Sequence, residues 1–243
     1  MSWKGHVRFW GEKGGVIQFP TYPTSSSNLE INRCNFTNNK ANLDDNEYDE
    51  GAIYYEGNLI INYSNFTNNT AYNGGAIASV PDWFENFVGN TLINNTNFTE
   101  KKAYLTGVIC KSSYKIDDFD DGDVNITIIN SNFNENQANT AGVLYFVTVV
   151  NIVIENSNFA QNQAVNTAVF RKRNEGNFTV TSSNFTKNHA NDLGVILNSD
   201  GNGLVKFDNN FFDSNWIDEE SSWVFLLDDK TTVTNNLFVN KHW

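Results

Sequence analysis

The stretch Asn58-Leu-Ile-Ile-Asn-Tyr-Ser-Asn-Phe-Thr-Asn-Asn-Thr-Ala-Tyr-Asn-Gly-Gly-Ala-Ile77 decides the fold. Leu59 and Ile61 alternate with the two-residue period of a strand rather than the 3.6-residue period of a helix. Asn62 to Asn65 supply a corner, Phe66 re-enters the interior, and Asn68-Asn69 form a second corner, because Asn tolerates left-handed backbone and hydrogen-bonds locally. A third strand follows Gly74-Gly75 as Ala76-Ile77. Three short strands and three turns make one coil.

The coil recurs along the whole chain. A pair spaced i and i+2, usually aliphatic, is followed five residues later by Phe in eight units: Leu29, Ile31, Phe36; Leu59, Ile61, Phe66; Thr91, Ile93, Phe98; Ile126, Ile128, Phe133; Ile152, Ile154, Phe159; Phe178, Val180, Phe185; Val205, Phe207, Phe212; and Thr231, Val233, Phe238. No spacing slips within a unit, so variation in length falls only between units. The third strand has counterparts at Gly15-Val-Ile17, Gly51-Ala-Ile53, Gly107-Val-Ile109, Gly142-Val-Leu144, Ala168-Val-Phe170, Gly194-Val-Ile196 and Trp223-Val-Phe225. Such self-similarity marks a repeat architecture. One unit cannot bury its own apolar positions, whereas coils stacked about 4.8 Å apart pair every strand with the coils on either side. The expectation is an all-β parallel β-helix, a solenoid of about eight coils with three short strands each. Leucine-rich and helical repeats fail on the missing Leu-x-x-Leu-x-Leu consensus and on units poor in helix formers.

Three slots carry structural expectations. Equivalent Phe side chains form one interior stack, each contributing about 1.5–3 kcal/mol by burial. Asn39, Asn69, Asn136, Asn162, Asn188 and Asn215 align into a ladder of side-chain amides, broken at Lys101, where the packing is expected to loosen. Ala41, Ala71, Ala103, Ala138, Ala164 and Ala190 mark a position where the backbone approaches the core closely.

Composition agrees with one elongated body over residues 1–243. Hydrophobic residues make up 40%, Phe numbers 19 and Pro only three, which excludes a disordered chain. A net charge of −12 argues against tracking nucleic-acid phosphates and against an anionic membrane surface, since both need a basic stripe. Cys34 and Cys110 sit at non-equivalent places in their units, which predicts two buried thiols rather than a disulfide. No apolar run reaches membrane-spanning length, and Met1 to Phe19 lacks the features of a signal peptide.

The pairing of Phe-x-x-Asn (Phe36 to Asn39, Phe66 to Asn69, Phe133 to Asn136, Phe159 to Asn162, Phe185 to Asn188, Phe212 to Asn215) with Gly74-Gly75-Ala76-Ile77 resembles the chlamydial polymorphic outer-membrane protein repeats. It is similar also to repeats of adhesin-like surface proteins of gut archaea and of protists. The resemblance runs from Gly14 to about Phe238. It implies a right-handed β-helix displayed on a cell surface or secreted and used in adhesion, one segment of a larger surface protein whose anchoring domain or further repeats lie elsewhere. The implied partners are cell-surface proteins or glycans.

Enzymes also use this scaffold, so each chemistry-bearing residue has a catalytic reading beside a plain one. Polysaccharide lyases and hydrolases need carboxylates with Arg, Lys or His converging on one face. The densest acidic run, Asp117, Asp118, Asp120, Asp121 and Asp123, has oxygen ligands suited to calcium, but Phe119 occupies a ligand slot of the EF-hand pattern, and a solvated acidic loop is the simpler reading. Arg171-Lys172-Arg173 is the one positive cluster, a solvated turn on the plain reading and a carboxylate binder through Arg171 and Arg173 on the sharper one. Trp83 in the insertion after Ala76, with Tyr54-Tyr55, covers a small core of the long loops on the plain reading and offers aromatic surface for sugar or protein docking on the sharper one. His189 occupies the variable slot shared with Lys40, Thr70, Lys102, Gln137, Gln163 and Trp216 and reads as an ordinary exposed side chain. No catalytic residue and no zinc spacing stands out. The leading expectation is a non-enzymatic adhesin-type rod with recognition in the irregular loops near 40–50, 80–90, 111–124 and 217–222. A polysaccharide-active enzyme and a passive stalk are the alternatives.

Overall fold

The structure, a computed structural model, describes residues 17–18, 28–40, 52–55, 57–79, 89–111, 124–147, 150–173, 175–200, 202–218, 223–227 and 230–240. In the decisive stretch, Asn58–Asn62 belongs to sheet I, Asn65–Thr67 to sheet II, Thr70–Ala71 to sheet III and Ile77–Ser79 to sheet IV. Sheets I, II and IV each hold eight strands and sheet III six, each strand bonded to its counterparts in the adjoining coils. The pairing is parallel and matches equivalent residues, as in Ile126↔Ile152 and Phe133↔Phe159. The chain is a parallel β-solenoid in which six coils carry all four strands.

The expected three strands per coil and eight coils are therefore corrected. Residues after the second corner, such as Gln137–Ala138 and Gln163–Ala164, pair as two-residue strands of their own. Stretches that short carry no periodicity to read. One alignment also shifts: Leu197, not Ile196, pairs with Phe170, because Gly194 lies opposite Thr167. An extra residue is absorbed after Ala190, which still pairs with Ala164.

The interior is as the pattern demands. Val150–Glu155 alternates buried and half-buried positions up to its exposed last residue, and Ile152 and Ile154 are buried. Phe36, Phe66, Phe98, Phe133, Phe159, Phe185, Phe212 and Phe238 form one continuous stack with ring centroids 4.6–4.9 Å apart. Coil spacing fixes that distance, and the ring planes stay within 15° of one another.

Two ladders of polar side chains run beside it. In the first, Asn136 Nδ2 donates to Asn162 Oδ1 at 2.9 Å, Asn162 to Asn188 at 2.9 Å and Asn188 to Asn215 at 2.8 Å. Each amide also donates to the Phe carbonyl of the preceding coil, as Asn162 does to Phe133 at 3.0 Å. Every buried polar atom of the amide is thereby used, which turns a desolvation cost into a specific link. Asn39 and Asn69 form the same contact on the other side of Lys101. The looseness expected at Lys101 is not seen: the side chain is fully buried, its Nζ donates to Thr99 O at 2.9 Å, and its backbone N–H reaches Asn136 Oδ1.

The second ladder sits two residues before each Phe. Ser64, Thr96, Ser131, Ser157 and Ser183 are buried; each hydroxyl donates to the carbonyl two residues back and accepts the backbone N–H of the preceding coil. Asn210 continues it with an amide, accepting from Ser183 N at 2.9 Å. Cys34 is the first described rung and is exposed, so the expected pair of buried thiols holds for Cys110 alone, and no disulfide joins them.

Candidate functional site: a lateral trough over sheet III

The corner between sheets II and III shapes the site. Asn68, Glu100, Glu135, Gln161 and Lys187 hold left-handed backbone with φ of 51–58°, and the next residue of each coil turns inward as the ladder. With the ladder residue pointing in, the residues on either side of it point out and diverge. Stacked over successive coils they form two parallel walls, the corner residues on one side and Lys102, Gln137, Gln163 and Trp216 on the other. The trough between them has a volume of about 540 Å³. Across the second wall a shallower depression of about 330 Å³ lies over Ala103, Ala138 and Ala164, where small side chains leave room.

The lining is rich in carboxamides, with Glu100 and Glu135 set against Lys102 and Lys187. All four charged side chains are exposed. Asn134 Nδ2 donates to Glu135 Oε1 at 2.8 Å, holding that carboxylate to its own coil. At one end Trp216 stacks on His189 with centroids 4.6 Å apart, and His189 Nε2 lies 2.9 Å from Asp218 Oδ1. The reading of His189 as an ordinary exposed side chain is corrected: it is half-buried between a ring and a carboxylate. Beneath the trough the backbone has no spare donors, since Lys102, Gln137, Gln163, His189 and Trp216 all donate their N–H to the preceding coil.

The residues singled out from sequence fall elsewhere. Asp117, Asp118, Asp120, Asp121, Asp123 and Trp83 lie outside the described residues. Arg171 and Lys172 belong to the sheet IV strand Phe170–Lys172 rather than to a turn, and Lys172 is buried. Arg171 Nη2 and Arg173 Nε share Asp200 Oδ2 at 3.0 and 3.4 Å, so both guanidinium groups already have one carboxylate partner within the chain. Tyr55 is buried, which raises its phenol above the usual value, and it offers no docking surface. Among the described residues no three His, Cys, Asp or Glu side chains gather as a metal site, and no helix is long and apolar enough to cross a membrane. The trough residues were visible in sequence only as the variable positions flanking the ladder Asn.

The class defined by these features is a parallel β-solenoid with amide ladders and a stacked Phe core. Comparisons with protein-family models, with curated proteins and with solved structures give no match.

Proposed function

We propose that this chain is a non-enzymatic adhesin-type scaffold, secreted or exposed on a cell surface, that holds cell-surface or polysaccharide ligands, and that it belongs with the polymorphic outer-membrane protein repeats and winds right-handed. Handedness is supported by stereochemistry, since parallel strand-crossover-strand connections are right-handed in about 98% of cases. The observation that carries the function is the trough of Gln137, Gln161 and Gln163 beside exposed charges of both signs. Carboxamides donate and accept hydrogen bonds but do not exchange protons at neutral pH, so they recognise without reacting. Loops such as Asp117 to Asp123 and the Arg171/Arg173 pair are secondary sites on this reading.

One observation favours the polysaccharide-active alternative: Glu100 and Glu135 sit at the same corner of successive coils, about 4.8 Å apart in coil spacing. Glycosidase pairs need similar proximity, but also one carboxyl kept protonated by burial, and here both are exposed. The test is retention of the labelled protein on host cells and surface polysaccharides, followed by sizing of the polymer. Retention with intact polymer is expected. Shortened polymer that depends on Glu100 and Glu135 overturns the adhesin in favour of an enzyme, and absence of retention leaves a passive stalk.

A further inference from the structure

The trough runs along the solenoid axis over six coils: three of them add a residue to each wall (Glu100 with Lys102, Glu135 with Gln137, Gln161 with Gln163), and Asn68, Lys187 and Trp216 come from the other three. A linear polymer lying parallel to the axis therefore meets at least one wall side chain about every 4.8 Å, with carboxamides on both walls at Gln161 and Gln163, whereas a compact ligand touches only one or two coils. Its charged groups, Glu100, Lys102, Glu135 and Lys187, cancel to zero formal charge in a chain of net −12. A polyanion meets repulsion from the whole molecule, whereas a polycation is drawn to the molecule at large and gains no preference for a trough whose two glutamates are balanced by two lysines. An extended peptide lacks a place to add as a strand, because the lateral face has no sheet edge and the N–H groups of the sheet III strands are already paired between coils. What remains is a neutral chain read by side chains alone, with hydroxyl groups that match the donor and acceptor pairs of Gln137 and Gln163.

Resting on the adhesin reading above, we propose that the trough is a binding site for a neutral, linear, hydroxyl-rich glycan that lies along the solenoid axis, gripped coil by coil by Gln137 and Gln163. Successive wall residues between Asn68 and Trp216 span six coils, so the site is about 24 Å long. The site selects for uncharged sugars and for chain length.

The experiment is titration of the whole chain with neutral oligosaccharides of graded length, with polygalacturonate as a charged control, at low and high salt. Expected are affinity that climbs until the oligosaccharide spans about 24 Å, indifference to salt, and weakening by about tenfold or more in a Gln137→Ala/Gln163→Ala double variant. Both glutamines are exposed, so an unchanged melting temperature shows that the variant is folded. Binding of polygalacturonate alone, affinity independent of length, or an unaffected double variant overturns the site. If intact cells still retain that variant fully, the site fails while the adhesin reading stands. If the wild-type chain is held by neither cells nor sugars, both fall.

Discussion

Lys101 places a cation where six other coils place an amide. Burial drives its pKa down to about 7, partly offset by the neighbouring Glu100 carboxylate, and burial alone brings Lys111 to about 8. Both values lie below the 10.5 of a free lysine, so between them and 10.5 the unfolded chain binds more protons than the folded one. Stability therefore rises with pH through that window, and the Lys101 penalty is fully present below about pH 7. Lys101→Asn joins Asn69 to Asn136 in one ladder, adds about two net hydrogen bonds and is expected to stabilise the fold by about 2 kcal/mol. Thermal melts at pH 6.5 and 9.5 check this: the variant should gain most at the lower pH, and an unchanged or lower midpoint there contradicts the ladder argument. At this scale the sequence was only half legible. It showed that Lys101 interrupts the ladder, but not that the aliphatic stem fits the slot and turns its amine back to Thr99.

Among the elements, the Phe stack and the hydroxyl ladder divide the work of registering coil on coil. Phe133 has a stacked ring on either side, whereas Phe36 stacks on Phe66 alone among the described rings. Phe133→Ala is expected to cost about 3–5 kcal/mol and Phe36→Ala about half of that, measured by denaturant unfolding. Equal costs would mean that stacking between coils contributes little. Ser131→Ala removes the acceptor of the buried Thr96 N–H and should cost about 1–3 kcal/mol despite losing a single oxygen. Period-two alternation and the Phe spacing made sheets I, II and IV readable. Sheet III was not, because a two-residue strand such as His189–Ala190 has no period, and its pairing comes from the neighbouring coils. The hydroxyl ladder was on the page as Ser, Thr, Asn or Cys two residues before Phe, a mixed set that shares an acceptor rather than a name. Corners were predicted from Asn, yet Glu100, Glu135, Gln161 and Lys187 hold the same left-handed backbone, since inter-coil hydrogen bonds override local preference.

The whole molecule behaves as a one-dimensional stack, in which each coil is stabilised by its two neighbours. Protection should therefore fall toward the last described coil, where Lys230–Thr234 is exposed at all five positions and, among the described strands, pairs with Leu204–Asp208 alone. Hydrogen exchange is expected to reach Val233 well before Ile152 and Ile154, which lie buried in the middle; uniform protection would point instead to a single cooperative unit. The trough belongs to this scale too, and this is why it escaped the sequence. No single Gln announces a site, and only the stacking of coils sets Gln137 beside Gln163. The same ladders bear on how such a chain changes over generations. From Asn136 to Asn188 successive coils offer one another the same donors and acceptors, and Asn136, Asn162 and Asn188 recur at an interval of 26 residues. Recombination that duplicates or deletes one such interval, for instance 134–159, rejoins matching rungs without inventing a new contact. Inheritance can then lengthen or shorten the trough in whole coils, as a ruler whose divisions are set by the gene.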